Sequence, residues 1–152
     1  MIENIDGDIF KIETNAILHC ANCMCVMGSG IALTISRLYP EAVVADNETK
    51  AGDIKKLGKY SSATGKNSII IYNLYGQYVP GAGIRQLNYE AFYTATESAH
   101  KDILSKNLKT VSVPYNIGCD RAGGSWTVVN AILTDIFEKS PVKLKICKFA
   151  VK

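Results

Sequence analysis

Apolar residues along the chain fall into two periodic patterns that predict alternating strands and helices. Runs that are apolar throughout, or at every second position, predict strands over residues 1–5, 16–20, 59–63, 68–75, 110–114 and 142–149. Apolar positions at helical spacing predict helices over residues 31–39, 42–50, 87–105 and 125–137. Residues 8–10 are predicted to resume the first strand after a turn at Gly7.

Proline, glycine and serine mark the predicted boundaries between these elements. Pro40 ends the first helix because proline cannot continue it, and Ser125 is expected to cap the last one. Gly65 lies between strands 59–63 and 68–75 and predicts a turn that pairs them. The alternation is typical of an α/β protein, so we predict a three-layer α/β/α fold whose mixed central sheet has about six strands.

The apolar positions of these elements also predict the hydrophobic core. Trp126, near the start of the last helix, is expected to anchor it. The other residues assigned to the core are Ile17, Ile31, Ile35, Ile70, Leu104, Val111, Val113, Val129, Ile132, Leu133, Ile136 and Ile146.

Length and composition limit the class of protein. The 152 residues are 47% hydrophobic and 20% charged, with no linker or repeat, so we predict a single domain over residues 1–152. No apolar run approaches the roughly 20 residues of a membrane helix, and acidic residues interrupt the first segment, so neither a membrane partner nor a signal peptide is expected. The five cysteines are an odd number, which fits a reducing cytoplasm. We expect a monomer located there.

The positive charge of the chain does not indicate a nucleic-acid partner. The net charge is only +3, and the lysines are scattered. The densest group, Lys143, Lys145, Lys148 and Lys152, alternates along the last predicted strand, which is the pattern of a solvated face.

Two glycine-bearing loops, at residues 20–30 and 115–125, share one arrangement. Each follows a buried strand and leads into a helix, so both would lie at the carboxyl ends of strands, where ligands bind. Backbone N–H groups and the positive end of a helix dipole suit a phosphate, and two such loops suit a diphosphate. The alternative is that these glycines only turn the chain. A Rossmann dinucleotide site is disfavoured because Gly28-Ser-Gly30 lacks the third glycine, and the next strand presents no clear acidic residue.

Several short motifs follow one another along the chain: Gly7-Asp-Ile9, Ile17-Leu-His-Cys-Ala-Asn22, Met27-Gly-Ser-Gly-Ile-Ala32, Tyr72-Asn-Leu-Tyr-Gly-Gln77, Val113-Pro-Tyr-Asn-Ile-Gly-Cys119 and Gly123-Gly-Ser-Trp126. Their joint order resembles that of the macrodomain family, the ADP-ribose-binding α/β/α module, over nearly the whole chain. The similarity is greatest to the branch that holds the ADP-ribose-1''-phosphate phosphatases and the terminal ADP-ribose–protein glycohydrolases.

The resemblance implies which residues would hold the adenine and the diphosphate of ADP-ribose. Asp8 would accept a hydrogen bond from the adenine amino group, with the backbone of Ile9 beside it. The alternative for Asp8 is a local turn next to Gly7. The two phosphate loops would consist of Gly28, Ser29, Gly30 and Ile31, and of Gly118, Cys119, Asp120, Arg121 and Ala122.

At the distal ribose, three residues are candidates for catalysis. Asn22 would reach the ribose hydroxyls, unless its amide only braces the loop. His19 could act as general acid or as partner of a terminal phosphate, although its apolar strand equally suits a structural histidine. Asp120 would orient or deprotonate water and Arg121 would clamp a terminal phosphate, the alternative being an ion pair at the loop tip. Tyr75 is expected either to stack on the adenine or ribose or to pack at the rim.

Two departures from the family pattern bear on the mechanism. The glycohydrolases of this branch form a covalent sugar adduct with a lysine at the end of the central strand, but residues 72–77 contain no lysine. Their acid follows Gly-Cys by two further residues, whereas Asp120 follows Cys119 directly and Ala122 holds the ungapped position. We therefore predict direct displacement by water, with ADP-ribose-1''-phosphate as the favoured substrate and ADP-ribosylated protein as the next. The alternative is a non-catalytic ADP-ribose-binding module.

The cysteines at positions 20, 23 and 25, with His19 adjacent, raise the question of a metal. Zinc is not predicted, because Cys20 and His19 project to opposite sides of a strand and no second Cys-x-x-Cys pair follows. A nucleophilic cysteine near the helix N-terminus is a further alternative. The predicted site therefore includes neither a metal nor a cofactor.

Overall fold

A computed structural model describes residues 1–81 and 84–149, so residues 82–83 and 150–152 of the predicted single domain lie outside the described part. The described strands are β1 (Ile2–Asp6), β2 (Ala16–Asn22), β3 (Tyr60–Thr64), β4 (Ile70–Gln77), β5 (Thr110–Pro114) and β6 (Lys143–Lys148). The α-helices are α1 (Gly30–Leu38), α2 (Pro40–Asn47), α3 (Tyr89–Ser105) and α4 (Trp126–Phe137). Short 3₁₀ turns cover Ile54–Lys56 and Lys66–Ser68.

The strands form one mixed sheet in the order β1-β6-β5-β2-β4-β3. Neighbouring strands are parallel except β3 and β4, which form an antiparallel pair. A bulge between Ala21 and Asn22 shifts the register of β2, so that Asn22 lies beside Gln77. In this strand order β5, β2 and β4 are adjacent, and because they run parallel they end at the same edge of the sheet.

Helices cover both faces of this sheet. Ala16 and Leu18 of β2 belong to the apolar cluster that contains α3 and α4, while Ile17 belongs to the cluster that contains residues of α1 and α2. A parallel strand that is covered on both faces must be apolar at nearly every position, which explains why all residues of β2 except His19 and Asn22 are apolar. The two clusters and the six strands confirm the predicted three-layer α/β/α fold.

The segment after β1 is a turn rather than the predicted resumption of a strand. The carboxylate Oδ1 of Asp8 accepts a hydrogen bond from the backbone N–H of Phe10 at 2.9 Å. The backbone N–H of Lys11 donates to the carbonyl oxygen of Asp8, also at 2.9 Å. An aspartate that bonds to the backbone two residues further along stabilises such a turn, and this competes with extended pairing.

Some helix details also differ from the prediction. The second helix begins at Pro40, because proline is compatible with the first turn of a helix, and it ends at Asn47. Leu104 is 39% exposed, since Ile103 takes the core position on α3. Ser125 precedes α4 as predicted, but its side chain makes no capping hydrogen bond. Among the described residues, no helix has the length and hydropathy that crossing a membrane requires.

Candidate functional site

A cleft opens at the carboxyl ends of β5, β2 and β4, between the two glycine-bearing loops. Its volume is about 890 Å³ when the space open to solvent is included. Ligands of open α/β sheets bind at this position. The cleft is lined by residues 20–22, 26–32, 114–118 and 120–122, together with Gln77, Pro80 and Gly81.

The first loop presents an exposed backbone to the cleft. Ser29 is the N-cap of α1, and its hydroxyl makes no capping hydrogen bond, so that it remains available for a ligand. Gly30 has a φ of +58°, which glycine adopts without strain, and no atom lies within 4 Å of the position that a Cβ would occupy. The first turn of α1 contains no acidic residue. The positive end of the helix dipole is therefore open to an anion.

The second loop is held in place by the segment that precedes α3. The carbonyl oxygen of Ala122 accepts hydrogen bonds from the backbone N–H groups of Gln86 at 2.8 Å and Leu87 at 3.0 Å. The N–H of Gly124 donates to the carbonyl oxygen of Gly118 at 3.0 Å. Gly118 has a φ of +72°, and a Cβ there would lie 3.0 Å from Leu87 Cδ1. These contacts fix the loop before a ligand arrives, which lowers the entropy lost on binding.

The charged side chains of the cleft are at the tip of the second loop. Asp120 and Arg121 are both exposed and line the cleft. Neither forms an ion pair within the described ranges, so the alternative of a loop-tip pair is not observed there. Asp120 is the single carboxylate among the described lining residues, which include no lysine and no histidine. This end of the cleft thus offers one base for a water molecule and one cation for a phosphate.

Asn22 lies on the floor of the cleft and is 8% exposed. Its Nδ2 donates to the carbonyl oxygen of Val26 at 2.8 Å, and its Oδ1 accepts from the N–H of Met24 at 2.9 Å. The amide therefore braces the first loop, as the alternative interpretation proposed. These two bonds do not use the second hydrogen of Nδ2, which leaves a donor for a ligand. A contact with the distal ribose stays a prediction.

His19 does not reach the cleft, so its predicted role as general acid is wrong. It lies fully buried on the face of β2 opposite to Cys20, and its Nε2 is 2.6 Å from Oδ1 of Asn73. The Nδ2 of Asn73 in turn donates to the carbonyl oxygen of Ala42 in α2. Burial lowers the pKa of His19, which keeps the imidazole neutral at neutral pH. His19 is a structural histidine, the alternative that its apolar strand had left open.

Tyr75 and Cys119 also lie outside the lining of the cleft. Tyr75 is 1% exposed, and its hydroxyl donates to Oδ1 of Asp46 at 2.7 Å and lies 2.7 Å from Oγ of Ser61. The thiol of Cys119 donates to the carbonyl oxygen of Ile117 at 3.4 Å. The predicted contact of the Tyr75 ring with the ligand is therefore wrong, whereas the place of Cys119 in the second phosphate loop stays a prediction. Tyr75 projects from β4 towards α2, on the same side of the sheet as His19.

Asp8 and Ile9 are in the turn after β1 and do not line the cleft. Ile9 is 6% exposed and belongs to an apolar cluster that packs against Met27 and Ile31, which do line it. The turn is thus connected to the cleft through shared packing. The Asp8 carboxylate bonds to the backbone of Phe10, as its alternative interpretation expected. An adenine-binding role for this turn stays a prediction.

Tyr115 and Gln77 line the cleft although the prediction did not include them as ligand residues. The ring of Tyr115 packs 4.8 Å from that of Trp126, and the Nζ of Lys148 lies 4.8 Å from the Tyr115 ring centre. The Nε2 of Gln77 donates to the carbonyl oxygen of Val79 at 3.0 Å. Both residues are at the carboxyl ends of parallel strands, and that position is the signal that would have identified them.

Cys20 and Cys119 are unsuited to nucleophilic catalysis. Burial raises the pKa of Cys20 to about 12 and that of Cys119 to about 11, so both thiols are protonated at neutral pH. All five cysteines are free thiols. Across residues 1–81 and 84–149, no group of three or more His, Cys, Asp or Glu side chains could hold a metal ion.

Known proteins resemble the chain in sequence, although no family model matches it. The chain is 30% identical over 139 residues to an uncharacterised 17.5 kDa protein of Enterobacteria phage T4, covering 88% of each. It is 23% identical over 150 residues to the human ADP-ribose glycohydrolase OARD1, covering 95% of this chain and 90% of that protein. A shorter match of 55 residues is 40% identical to the DNA ADP-ribosyl glycohydrolase of Mycobacterium tuberculosis, covering 36% of this chain and 16% of that protein.

Solved structures share the fold. The macrodomain of Mycobacterium tuberculosis DarG has a TM-score of 0.81 and 24% identity, covering 99% of both chains. Thermosipho africanus DarTG in complex with ADP-ribose has a TM-score of 0.79 and 15% identity, covering 99% of this chain and 42% of that one. The sheet order and the cleft define an α/β/α domain with a ligand site at the ends of its parallel strands. Together with these likenesses, they show that the chain has the macrodomain fold.

Proposed function

We propose that this chain, as a single macrodomain over residues 1–152, binds ADP-ribose in the cleft and hydrolyses a bond at the distal ribose. The proposed hydrolysis rests on one observation: Asp120 is the single carboxylate among the described residues that line the cleft. Two relatives support the ligand: one is named an ADP-ribose glycohydrolase, and DarTG was solved with ADP-ribose.

In the proposed complex, the diphosphate lies between the two glycine loops. The backbone N–H groups at the start of α1 and the hydroxyl of Ser29 meet one side of it, and residues 118–122 meet the other. The adenine extends towards Met27, Ile31 and the turn that contains Asp8. The distal ribose then lies over the end of β2, near the amide of Asn22 and the tip of the second loop.

In the proposed reaction, water attacks C1'' of the distal ribose and the bond from C1'' to the leaving oxygen breaks. Asp120 accepts the proton of the attacking water, and the electron pair of the broken bond stays on the leaving oxygen, which is protonated from solvent. General-base catalysis of this kind contributes about 10²- to 10⁴-fold to a rate. A covalent sugar adduct with lysine is not part of the proposal, because no lysine is among the described lining residues.

We propose an ADP-ribosylated macromolecule as the first substrate class. The cleft is open, and Asp120 and Arg121 are exposed at its rim, so a bulky leaving group has room to remain outside. Arg121 favours a second candidate, ADP-ribose-1''-phosphate, because a guanidinium without an ion-pair partner in the described part of the chain suits a terminal phosphate.

The test measures binding and turnover separately. Titration calorimetry with ADP-ribose tests the ligand, and three substrates test the reaction: protein modified on a carboxylate, ADP-ribosylated DNA and ADP-ribose-1''-phosphate. Asp120→Asn should lower kcat about 100-fold while it changes the Kd for ADP-ribose less than about threefold. Arg121→Gln should raise KM for the phosphate substrate more than for the others.

The control is Glu48→Gln, which removes an exposed carboxylate at the end of α2 and should change neither quantity. If ADP-ribose binds tightly but none of the substrates is cleaved, the chain is a non-catalytic ADP-ribose-binding module. Failure of the wild-type chain to bind ADP-ribose would refute the proposal as a whole.

A further inference from the structure

Lys56 carries a charge that is almost completely buried, outside the cleft lining. It ends the 3₁₀ turn Ile54–Lys56 and is 7% exposed. No carboxylate in the described residues pairs with it directly. Instead, its Nζ donates to the carbonyl oxygen of Cys23 at 3.2 Å and contacts Sγ of Cys25 at 3.4 Å. The ammonium also lies 4.6 Å from the centre of the Tyr75 ring. Because an unpaired buried ammonium is strongly unfavourable, these contacts must compensate for its lost hydration.

Cys25 itself has an unusual backbone. Its φ is +59°, in the left-handed region that glycine adopts easily and that other residues adopt only with strain. The side chain compensates for this: Sγ donates to the carbonyl oxygen of Asp46 at 3.2 Å and also contacts Nζ of Lys56. The strained residue is therefore held by α2 on one side and by the buried lysine on the other. Such strain persists only where the surroundings impose it, and it is concentrated at functional sites.

Lys56 contacts the chain just before residues 26–32, the part of the first glycine-bearing loop and α1 that is called the phosphate loop below. Residues 23–25 lead directly into residues 26–32, which line the cleft. Beyond Cys25 the loop is more weakly constrained: residues 28–30 are exposed, and nothing lies within 4 Å of a Cβ built on Gly30. The position of the N–H groups at the start of α1 thus depends on how residues 23–25 are anchored.

We propose that Lys56 is a positioning residue for the phosphate loop, acting through the carbonyl oxygen of Cys23 and the thiol of Cys25. Lys56 holds the phosphate loop in its binding conformation before the ligand binds, and it does not contact the ligand itself. This role rests on the proposed function, since it concerns the ADP-ribose site. It also explains why a cysteine, and not a glycine, occupies position 25 despite the positive φ.

The test separates positioning from stability. Lys56→Met keeps the side-chain volume and removes the cost of burying an ammonium, and the carbonyl oxygen of Cys23 keeps its hydrogen bond from the N–H of Gly52 at 2.7 Å. We expect the melting temperature to stay equal or rise while the Kd for ADP-ribose increases at least about tenfold. Cys25→Gly relieves the backbone strain but removes the sulfur, so it should also weaken binding without lowering the melting temperature. Cys25→Ser retains a small donor and should bind within about threefold of the wild type.

Lys55→Met is the matched control, since Lys55 is exposed beside Lys56 and its loss should change neither binding nor stability. Wild-type affinity in both Lys56→Met and Cys25→Gly would overturn the positioning role. If the wild-type chain does not bind ADP-ribose, the proposed function fails, and hydrogen exchange decides the positioning role by itself. Amide exchange over residues 22–31 should then be at least about fivefold faster in Lys56→Met, and an unchanged rate would refute the role.

Discussion

Replacing Gly124 by alanine should destabilise the second loop, because a methyl group has no space there. A Cβ at this position would lie 2.5 Å from Cδ2 of Leu87 and 2.7 Å from the carbonyl oxygen of Gly118. Leu87 is 2% exposed, so its side chain cannot turn towards solvent. The backbone of Gly118 would have to move instead, and the hydrogen bond from the N–H of Gly124 to its carbonyl oxygen would be weakened.

Overpacking of this kind costs about 1–3 kcal/mol, and a lost backbone hydrogen bond adds about 1 kcal/mol. We therefore expect Gly124→Ala to lower the free energy of unfolding by about 2–4 kcal/mol. For a domain of 152 residues, that corresponds to a fall in melting temperature of roughly 4–16 °C. Because Gly118 lines the cleft, the Kd for ADP-ribose should increase as well.

Chemical denaturation of a double-mutant cycle with Leu87→Ala identifies the clash. Leu87→Ala alone creates a cavity and should destabilise by about 2–5 kcal/mol. In the double variant the new methyl group enters that space, so the combined loss should be smaller than the sum by at least about 1 kcal/mol. Ser125→Ala is the control, since its hydroxyl makes no capping bond and its loss should matter little. A Gly124→Ala protein with wild-type stability, or strict additivity with Leu87→Ala, would refute the packing explanation.

Three further predictions concern other parts of the molecule. Gly28→Ala should leave the melting temperature unchanged, because its Cβ would meet only Val26 Cγ1 at 3.9 Å, but calorimetry should show ADP-ribose binding at least about tenfold weaker. Burial lowers the pKa of both His19 and His100 in the folded chain. Below the ordinary histidine pKa of about 6.5, the unfolded chain therefore binds more protons than the folded chain, and the free energy of unfolding falls as the pH drops. Denaturation curves between pH 7 and pH 5 measure how the free energy of unfolding depends on pH, and His19→Gln should reduce this slope by up to roughly 1 kcal/mol per pH unit. An unchanged slope would show that His19 does not titrate on unfolding. Cys20, with its pKa raised to about 12, should resist iodoacetamide at pH 7.5 in the folded chain and react after denaturation, as peptide mass spectrometry will show.

The sequence predicted the fold and the location of the cleft better than the orientation of individual side chains. The nearly continuous apolar run in β2 and the glycines after β2 and β5 were sufficient to place two loops at one edge of the sheet. Alternation along a strand also shows that neighbouring residues project to opposite faces. It does not show which face is next to the ligand, because that depends on how the helices pack. His19 and Tyr75 were therefore assigned to the cleft although both project towards α2.

The contacts that brace the loops could not be predicted from the sequence either. Lys56 is far in sequence from Cys23 and Cys25, and nothing in its own segment distinguishes it from the exposed Lys55. The bulge at Ala21 and Asn22 is another such feature, because it depends on the pairing with β4. Contacts between distant segments determine these details, whereas local periodicity determines the elements themselves.

The exposed backbone of residues 28–30 has a consequence for how this protein can diverge. Main-chain N–H groups are present whatever the side chains are, so no lysine or arginine side chain has to contact the diphosphate in the proposed site. Val26, Tyr115 and Arg121 on the cleft wall can then change independently of it. Substitutions at these positions would alter the leaving group that the cleft accepts while the common ADP-ribose part stays bound. Descendants of one ancestral chain could thus acquire new substrates gradually, without passing through a form that has lost its ligand.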